Sequence, residues 1–170
     1  MTVDGDDPDP REIVRLLGQA PILVLLPPDA LFAIAAIADT RRLRPGEMLF
    51  RQGDRSDGGY VVLSGSLAIG REGDERAVAT LGPGSLVGQV ALFVRLQRPA
   101  TAIAREMSNV IRISPTLTKR VLRDHPAAAR GMRRLLARDL EALNVGLDRV
   151  SRMLARITPA DEEATAPASP

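Results

Sequence analysis

The sequence predicts a mainly β fold with flanking helices, on the basis of two observations. Between residues 41 and 113, glycine or proline recurs every few residues and separates short runs rich in β-branched side chains, which is typical of closely spaced strands. On either side of that region the apolar residues recur at helical spacing instead. A chain of 170 residues with 45% hydrophobic residues has room for one such domain and an extended helix.

Two short helices are predicted ahead of the strands. "REIVRLLGQ" at 11–19 has amphipathic spacing, and "DALFAIAAIADT" at 29–40 follows two prolines, with Asp29 as the predicted N-cap. The clearest strands are "YVVLSGSLAIG", "RAVATL", "ATAIA" and "NVIRIS". Between the first two of these, "REGDE" at 71–75 is typical of a hairpin tip.

The C-terminal part is predicted to be helical from Pro115 to Ile157. A break is expected at "DHP", residues 124–126, because the residue before a proline is pushed away from helical geometry. We therefore expect four segments along the chain: a flexible acidic N-terminus at 1–10, the β domain with its N-terminal helices at 11–123, a long helix at 124–157 and a disordered tail at 158–170.

The last helix carries the most regular pattern in the chain. Its apolar residues alternate spacings of four and three, as in a coiled-coil seam: Leu136, Leu140, Leu143, Leu147, Val150, Leu154 and Ile157. A helix of about 30 residues is about 45 Å long and outreaches a small β domain, so we interpret the seam as a homodimer contact. The alternative is that the same stripe packs on its own domain.

Composition excludes several classes of function. The chain has no cysteine, which rules out disulfides and thiolate chemistry, and its only histidine, His125, is predicted to be a turn or capping residue. No metal site, cofactor or catalytic residue is therefore predicted, and the protein is not expected to be an enzyme. The most apolar run, 20–38, is interrupted by Pro27 and Pro28 and falls short of the ~20 apolar residues of a membrane span. Because the N-terminus is acidic and not signal-like, we expect a cytoplasmic protein without membrane contact.

The formal net charge is +2, but acidic residues are concentrated at the two ends and the body is basic. Only one of the 23 basic residues is a lysine, and aromatic residues make up 2% of the chain. So few aromatic side chains argue against a base-stacking surface, and we expect no nucleic-acid partner.

One stretch, "GPGSLVGQVALFVRLQRPATA" at 82–102, has the chemistry of an anion site. Its glycines allow a tight turn into one short helical turn, whose free backbone N–H groups suit a phosphate. Arg98 follows ten residues after Gly88 and brings a guanidinium, while Ala100 and Thr101 add a small residue and a hydroxyl. The alternative for Arg98 is a surface position or an ion pair with a carboxylate such as Glu47. Arg95 is expected to be exposed.

With "FRQGDRSDGGYVVLSGSLAI" before it, this stretch resembles the cyclic nucleotide-binding domain, the β-roll module of the bacterial catabolite activator protein, the regulatory subunits of cyclic-AMP-dependent protein kinase and cyclic-nucleotide-gated channels. The resemblance extends over residues 20–157. It implies a double-stranded β-helix, a jelly-roll-like β-roll, with N-terminal helices and a long C-terminal helix.

The resemblance also implies site residues. Gly88, Ala91 and Leu92 match the short helix whose amides meet the cyclic phosphate, and Arg98 matches the arginine that neutralises it. The full set implied to contact the phosphate and ribose is Gly88, Gln89, Val90, Ala91, Leu92, Arg98, Pro99, Ala100 and Thr101. Gly65 and Gly82 fall at turns of the β-roll. A lid over the base is expected from the last helix, with Arg133, Arg134 and Arg138 as candidates.

Two residues depart from the family pattern. Gln89 stands where the family has a glutamate that accepts the ribose 2′-hydroxyl, and Pro99 lacks both the N–H and the hydroxyl that relatives offer the phosphate. Each missing charge-assisted bond corresponds to about 1.5–3 kcal/mol. The absence of a hydroxyl at Pro99 favours cyclic AMP over cyclic GMP.

The resemblance therefore predicts a regulatory sensor in which cyclic AMP moves the C-terminal helices, and an unknown protein partner reads that movement. The alternative is a degenerate domain that serves as a ligand-independent dimerisation or docking module. Transcription regulation is disfavoured, because relatives of that type carry a helix-turn-helix after the long helix and only thirteen residues follow Ile157 here.

Overall fold

The computed structural model describes residues 9–71 and 78–138. By clustering of backbone contacts the chain forms two compact units, residues 1–132 and residues 133–170. All the described strands, together with the candidate site around residues 88–101, belong to the first unit.

Three helical segments precede the strands. They are α1 (Pro10–Leu17), a first 3₁₀ helix (Leu23–Leu25) and α2 (Pro28–Ile37). The predicted N-cap at Asp29 is wrong, because the helix begins one residue earlier and Pro27 takes the cap position. Asp29 lies instead in the first turn, where its negative charge still favours the helix dipole.

The described part of the β region contains eight strands. In chain order they are β1 (Asp39–Leu43), β2 (Met48–Phe50), β3 (Gly59–Ser64), β4 (Leu67–Gly70), β5 (Ala79–Leu81), β6 (Leu86–Val87), β7 (Thr101–Ala104) and β8 (Ser108–Ile113). They form two antiparallel four-stranded sheets, with the orders β1-β8-β3-β6 and β2-β7-β4-β5. This double-sheeted β-roll flanked by helices confirms the predicted fold class.

Three differences from the predicted elements have local causes. The helix predicted at 29–40 ends at Ile37 because Asp39–Leu43 pairs with β8 as an edge strand. The single strand predicted at 60–70 is two strands, because Gly65, at φ 75°, turns the chain between them. A Cβ at Gly65 would lie 2.3 Å from the Ser108 hydroxyl oxygen, so this turn requires glycine.

Three short strands were not predicted at all: β1, β2 and β6. Of the predicted hairpin tip and the strand "RAVATL", residues 72–77 lie outside the described residues.

The main core lies between the two sheets. It combines inward-facing residues of both: Leu43, Leu49, Tyr60, Val62, Leu67, Val87, Ala102, Ala104 and Val110. A second apolar layer joins the helices of the first unit to the turn after β6. It surrounds a small apolar cavity lined by Leu23, Leu26, Ile34, Leu92, Phe93, Thr118, Val121, Leu122 and Met132.

The C-terminal part of the first unit begins with α3 (Pro115–Asp124), whose N-cap Ser114 accepts a hydrogen bond from the Leu117 N–H. His125 caps its C-terminus and donates its backbone N–H to Leu122 O, which confirms the predicted break and the capping role. Residues 126–132 are helical again, and so are residues 133–138, the described part of the second unit. No helix among the described residues is long and apolar enough to span a membrane.

Candidate anion-binding site

The glycine turn predicted from the sequence is present at Gly88. This residue follows β6 in the left-handed conformation, φ 75° and ψ 51°, and leads into a second 3₁₀ helix, Gln89–Leu92. The Ala91 N–H donates to Gly88 O at 2.9 Å, which closes the turn. Ala91 and Leu92 are buried beneath it, whereas Gly88 and Val90 are exposed. The short helical turn therefore presents its first residues to solvent on a buried apolar base.

Arg98 is buried and lies against this turn. Its backbone is held on both sides by one loop, because its N–H donates to Asp54 O and its carbonyl accepts from the Gly53 N–H, each at 2.8 Å. The residue is 3% exposed. Its Nη1 atom lies 2.6 Å from the position that a Cβ on Gly88 would occupy. The two residues that the sequence placed ten apart are therefore in direct contact, and the contact depends on glycine.

Two hydrogen-bond acceptors and two aromatic rings surround the guanidinium. Nη2 donates to Gly58 O at 2.7 Å and to Asp57 Oδ1 at 3.1 Å. The Phe50 ring covers it, with 4.0 Å between Cζ and the ring centroid, and the Tyr60 ring lies at 5.4 Å. Its Nε is buried and has no hydrogen-bond acceptor within residues 9–71 and 78–138. An orphaned buried donor on a cation is a costly feature, and a bound anion near Arg98 would compensate it.

Asp57 connects Arg98 to a second arginine. The Tyr60 hydroxyl donates to both carboxylate oxygens of Asp57 at 2.9 Å, and Arg112 Nη1 donates to Oδ2 at 3.3 Å. Arg112 also pairs with Asp39 at the start of β1, and this contact raises the pKa of Arg112. Burial, together with the Asp57 charge, raises the pKa of Tyr60 to about 12. Because the Asp57 side chain is 51% exposed, solvent and solutes can reach this network.

The carboxylate that pairs with Arg98 is not the one suggested by the sequence. Glu47 instead accepts from the Arg44 N–H at 3.1 Å and contacts Arg41, and the Arg44 hydrogen bond lowers the pKa of Glu47. Asp57 lies in the loop before β3, which brings it to Arg98 across 41 residues of chain. Arg95 is exposed, as expected.

The remaining candidate residues lie around the turn and the arginine. Gln89 is half-buried at the start of the second 3₁₀ helix, and Pro99 is exposed. Ala100 and Thr101 are half-buried where β7 begins, and the Thr101 hydroxyl oxygen accepts from the Gln52 N–H at 2.9 Å. The structure thus brings Gly88 and Arg98, one from each half of the predicted set, into contact. Their contacts with a ligand stay a prediction.

The candidate lid and dimer residues are mostly outside this description. Arg133, Arg134 and Arg138 are helical and exposed but belong to the second unit, so their part in covering a base stays a prediction. Leu136 is helical and half-buried. The rest of the predicted seam lies outside the described residues: Leu140, Leu143, Leu147, Val150, Leu154 and Ile157.

Sequence reasoning did not identify the residues that surround the guanidinium. Phe50, Asp57 and Tyr60 lie in "FRQGDRSDGGY", which was used only to recognise the family. A signal was available: all three of these side chains lie within eleven residues of each other, in a chain that has only three phenylalanines and one tyrosine. Among the described residues, no group of three or more His, Asp or Glu side chains could hold a metal ion.

Residues 40–125, which include both the turn and Arg98, match the model of a family described as the cyclic nucleotide-binding domain. The chain belongs to this family. Among solved structures, the cyclic nucleotide-binding-like protein from Brucella abortus is 32% identical, with a TM-score of 0.61 over 66% of this chain and 98% of that one. The predicted family membership is therefore confirmed.

Two curated relatives place the domain in longer proteins. The cyclic AMP receptor protein of Thermus thermophilus is 36% identical over 115 residues, which cover 65% of this chain and 53% of that protein. The lysophospholipase nte1 of Aspergillus terreus is 28% identical over 136 residues, 78% of this chain and 9% of that protein. The chain thus spans about half of the first relative and a small part of the second.

Proposed function

We propose that this chain is a regulatory domain that binds cyclic AMP through Arg98 and the turn at Gly88. The observation that carries the proposal is a buried guanidinium that faces an exposed glycine turn and keeps one buried donor, Nε, without an acceptor within the described ranges. An anionic group with several acceptor oxygens would satisfy such a cation, as phosphate does. Cyclic AMP is preferred because the Thermus relative is named for that ligand and because Pro99 offers no hydroxyl.

Binding would require the phosphate to compete with Asp57. The Asp57 side chain is half exposed, so solvent weakens its ion pair with Arg98. When Arg98 binds the ligand, Asp57 would keep Arg112 and Tyr60 as its own partners. Gly58 O can keep its bond to Nη2 throughout. The carboxylate thus serves as an internal counter-ion for Arg98 in the ligand-free state.

Coupling of the site to the helices is proposed to run through the apolar layer. Leu92 and Phe93, at the end of the turn that holds Gly88, line the same cavity as Ile34 of α2 and Val121 of α3. Close-packed side chains transmit a shift of one element to its neighbours. A ligand that moves the turn would therefore move α3 and the helical segment after His125. That movement would change how the chain contacts either a second copy through the predicted seam or a separate protein.

A second candidate function has its own observation. Arg98 already has a protein carboxylate and a carbonyl as partners, and a domain that no longer binds nucleotide would retain such an ion pair. In that case the domain would be a ligand-independent dimerisation or docking module. The Gln89 amide and Pro99, where relatives have stronger hydrogen-bonding groups, fit this alternative equally well.

Thermal unfolding and calorimetric titration, each with cyclic AMP and with cyclic GMP, together separate the two candidates. Ligand at about 100 times its Kd adds about 2.7 kcal/mol and raises the unfolding midpoint by about 5–11 °C. We expect this shift with the wild type and with Arg95→Ala, an exposed arginine in the same loop. Arg98→Lys, which keeps the charge but not the fork of donors, should lose at least tenfold in affinity. No response of the wild-type protein to either ligand at millimolar concentration would favour the ligand-independent module.

A further inference from the structure

The Phe50 ring is the feature of this site that the family assignment leaves without a role. The chain has only three phenylalanines and one tyrosine, and two of these four rings face one guanidinium. Phe50 ends β2 in one sheet, and Tyr60 lies on β3 in the other. Arg98 therefore lies where the two sheets meet, with its Cζ atom over the Phe50 ring.

The contacts of the guanidinium show why a ring is needed there. Nη2 has two acceptors, Gly58 O and Asp57 Oδ1, whereas Nε has none within the described part of the chain. These hydrogen bonds hold only the Nη2 end of the guanidinium, so packing contacts must fix the orientation of the rest of its plane. A ring 4.0 Å from Cζ restricts that plane and attracts the cation through its negative face.

The ring would also hold the guanidinium when a ligand displaces its carboxylate partner. Asp57 is half exposed and shared with Tyr60 and Arg112, so it is the part of the Arg98 environment that a ligand can replace. Phe50 is neutral and lies on β2, and it competes with no anion for the donors of Arg98. Its contact is therefore compatible with both states of the arginine.

We propose that Phe50 is a positioning residue for anion binding: its ring holds the Arg98 guanidinium plane toward the turn at Gly88. The proposal rests on the function proposed above and assigns Phe50 no contact with the ligand. Tyr60 has a different role, because its hydroxyl is bonded to Asp57 and its ring lies farther from Cζ, at 5.4 Å.

Calorimetric titration of Phe50→Leu with cyclic AMP tests this role. Leucine keeps the apolar volume and removes the ring face, so the ligand must then order the guanidinium itself. We expect a loss of about 2- to 30-fold in affinity, the upper value being that of a whole desolvated cation–π contact. Phe50→Tyr, which restores a ring, should recover the wild-type Kd to within about twofold. Phe32→Leu is the matched control, because Phe32 is 49% exposed on α2 and should leave the Kd unchanged.

A second measurement distinguishes positioning from general stability. If Phe50 acts through Arg98, the loss caused by Phe50→Leu should disappear in an Arg98→Lys background, since a lysine has no guanidinium plane to hold. The same Kd ratio for Phe50→Leu in both backgrounds would overturn the proposal.

A ligand-free readout keeps this inference separate from the proposed function. The Arg98 Nε–H nuclear magnetic resonance signal should be shifted by the ring current of Phe50, and should move in Phe50→Leu but not in Phe32→Leu. If the wild type fails to bind cyclic AMP but this signal moves, the proposed function fails while the contact between the Phe50 ring and the guanidinium stands. If cyclic AMP binds and its Kd is the same in Phe50→Leu as in the wild type, the positioning role is refuted.

Discussion

Replacing Gly88 by alanine tests whether the turn and Arg98 act as one unit. The backbone of Gly88 has φ 75°, where an L-residue costs roughly 1–2 kcal/mol more than glycine. In a protein of this size, that penalty lowers the unfolding midpoint by about 2–8 °C. The new methyl group would also lie 2.6 Å from Arg98 Nη1, whereas non-bonded heavy atoms prefer about 3.5 Å or more.

The guanidinium must therefore retreat by roughly 1 Å from its present position. The 2.7 Å bond from Nη2 to Gly58 O would then exceed ordinary hydrogen-bond length, and a phosphate seated on the same fork would lose a comparable contact. A hydrogen bond to a charged group contributes about 1.5–3 kcal/mol, which corresponds to a loss of about 10- to 150-fold in affinity for cyclic AMP.

Gly84→Ala is the matched control for the backbone penalty. Gly84 has φ 80°, and a Cβ there would meet only the flexible Gln19 side chain, at 2.9 Å from Oε1 and 3.4 Å from Cβ. Both variants should lose similar stability in thermal unfolding, but only Gly88→Ala should lose affinity in calorimetric titration. Equal Kd values for the two variants would show that the Gly88 contact with Arg98 has no part in binding.

Two further predictions concern Tyr60 and Ile22. The pKa of Tyr60 is raised to about 12 in the folded protein, so this hydroxyl stabilises the fold below pH 10 and the contribution is lost between pH 10 and 12. Because Tyr60 is the only tyrosine, the absorbance of tyrosinate reports on it alone and should titrate near pH 12 in the wild type. In Asp57→Asn the same titration should occur at lower pH. A midpoint near pH 10 in the folded wild type would contradict the Asp57 network. Ile22 has φ 67° in a γ-turn closed by the Leu23 N–H and Pro21 O at 2.8 Å, a strained conformation for a β-branched residue. We expect Ile22→Gly to be more stable than Ile22→Ala by about 1 kcal/mol in denaturant unfolding, the reverse of the usual order, and a more stable alanine variant would show that the turn carries no strain.

Much of the site could be predicted because its signals are local. Gly88 and the short helical turn follow from glycine spacing, and the break at His125 follows from the proline after it. Short strands were the weakest prediction: β6 has two residues, too few for alternation to be recognised. The end of α2 was missed because pairing of β1 with β8 decides it, and that pairing joins residues about 70 apart.

The partners of Arg98 could not be predicted for the same reason. Composition near residue 98 shows a guanidinium without a carboxylate, and several acidic residues elsewhere were equally available. Asp57, and not Glu47, pairs with Arg98 because the loop before β3 contacts the loop before β7, where Arg55 and Gln97 form a β-bridge. Such a contact cannot be predicted from which acidic residue lies nearest along the chain.

The sequence by itself determined the family, the fold class, the glycine turn and the arginine, because each depends on residue types at short or fixed spacing. Only the tertiary structure decided what surrounds that arginine: Asp57, the Gly58 carbonyl and the Phe50 ring arrive from other parts of the two sheets. The physical reason is that burial and ion pairing depend on distances in space. The absence of a carboxylate from the stretch around Arg98 is explained by a partner 41 residues away.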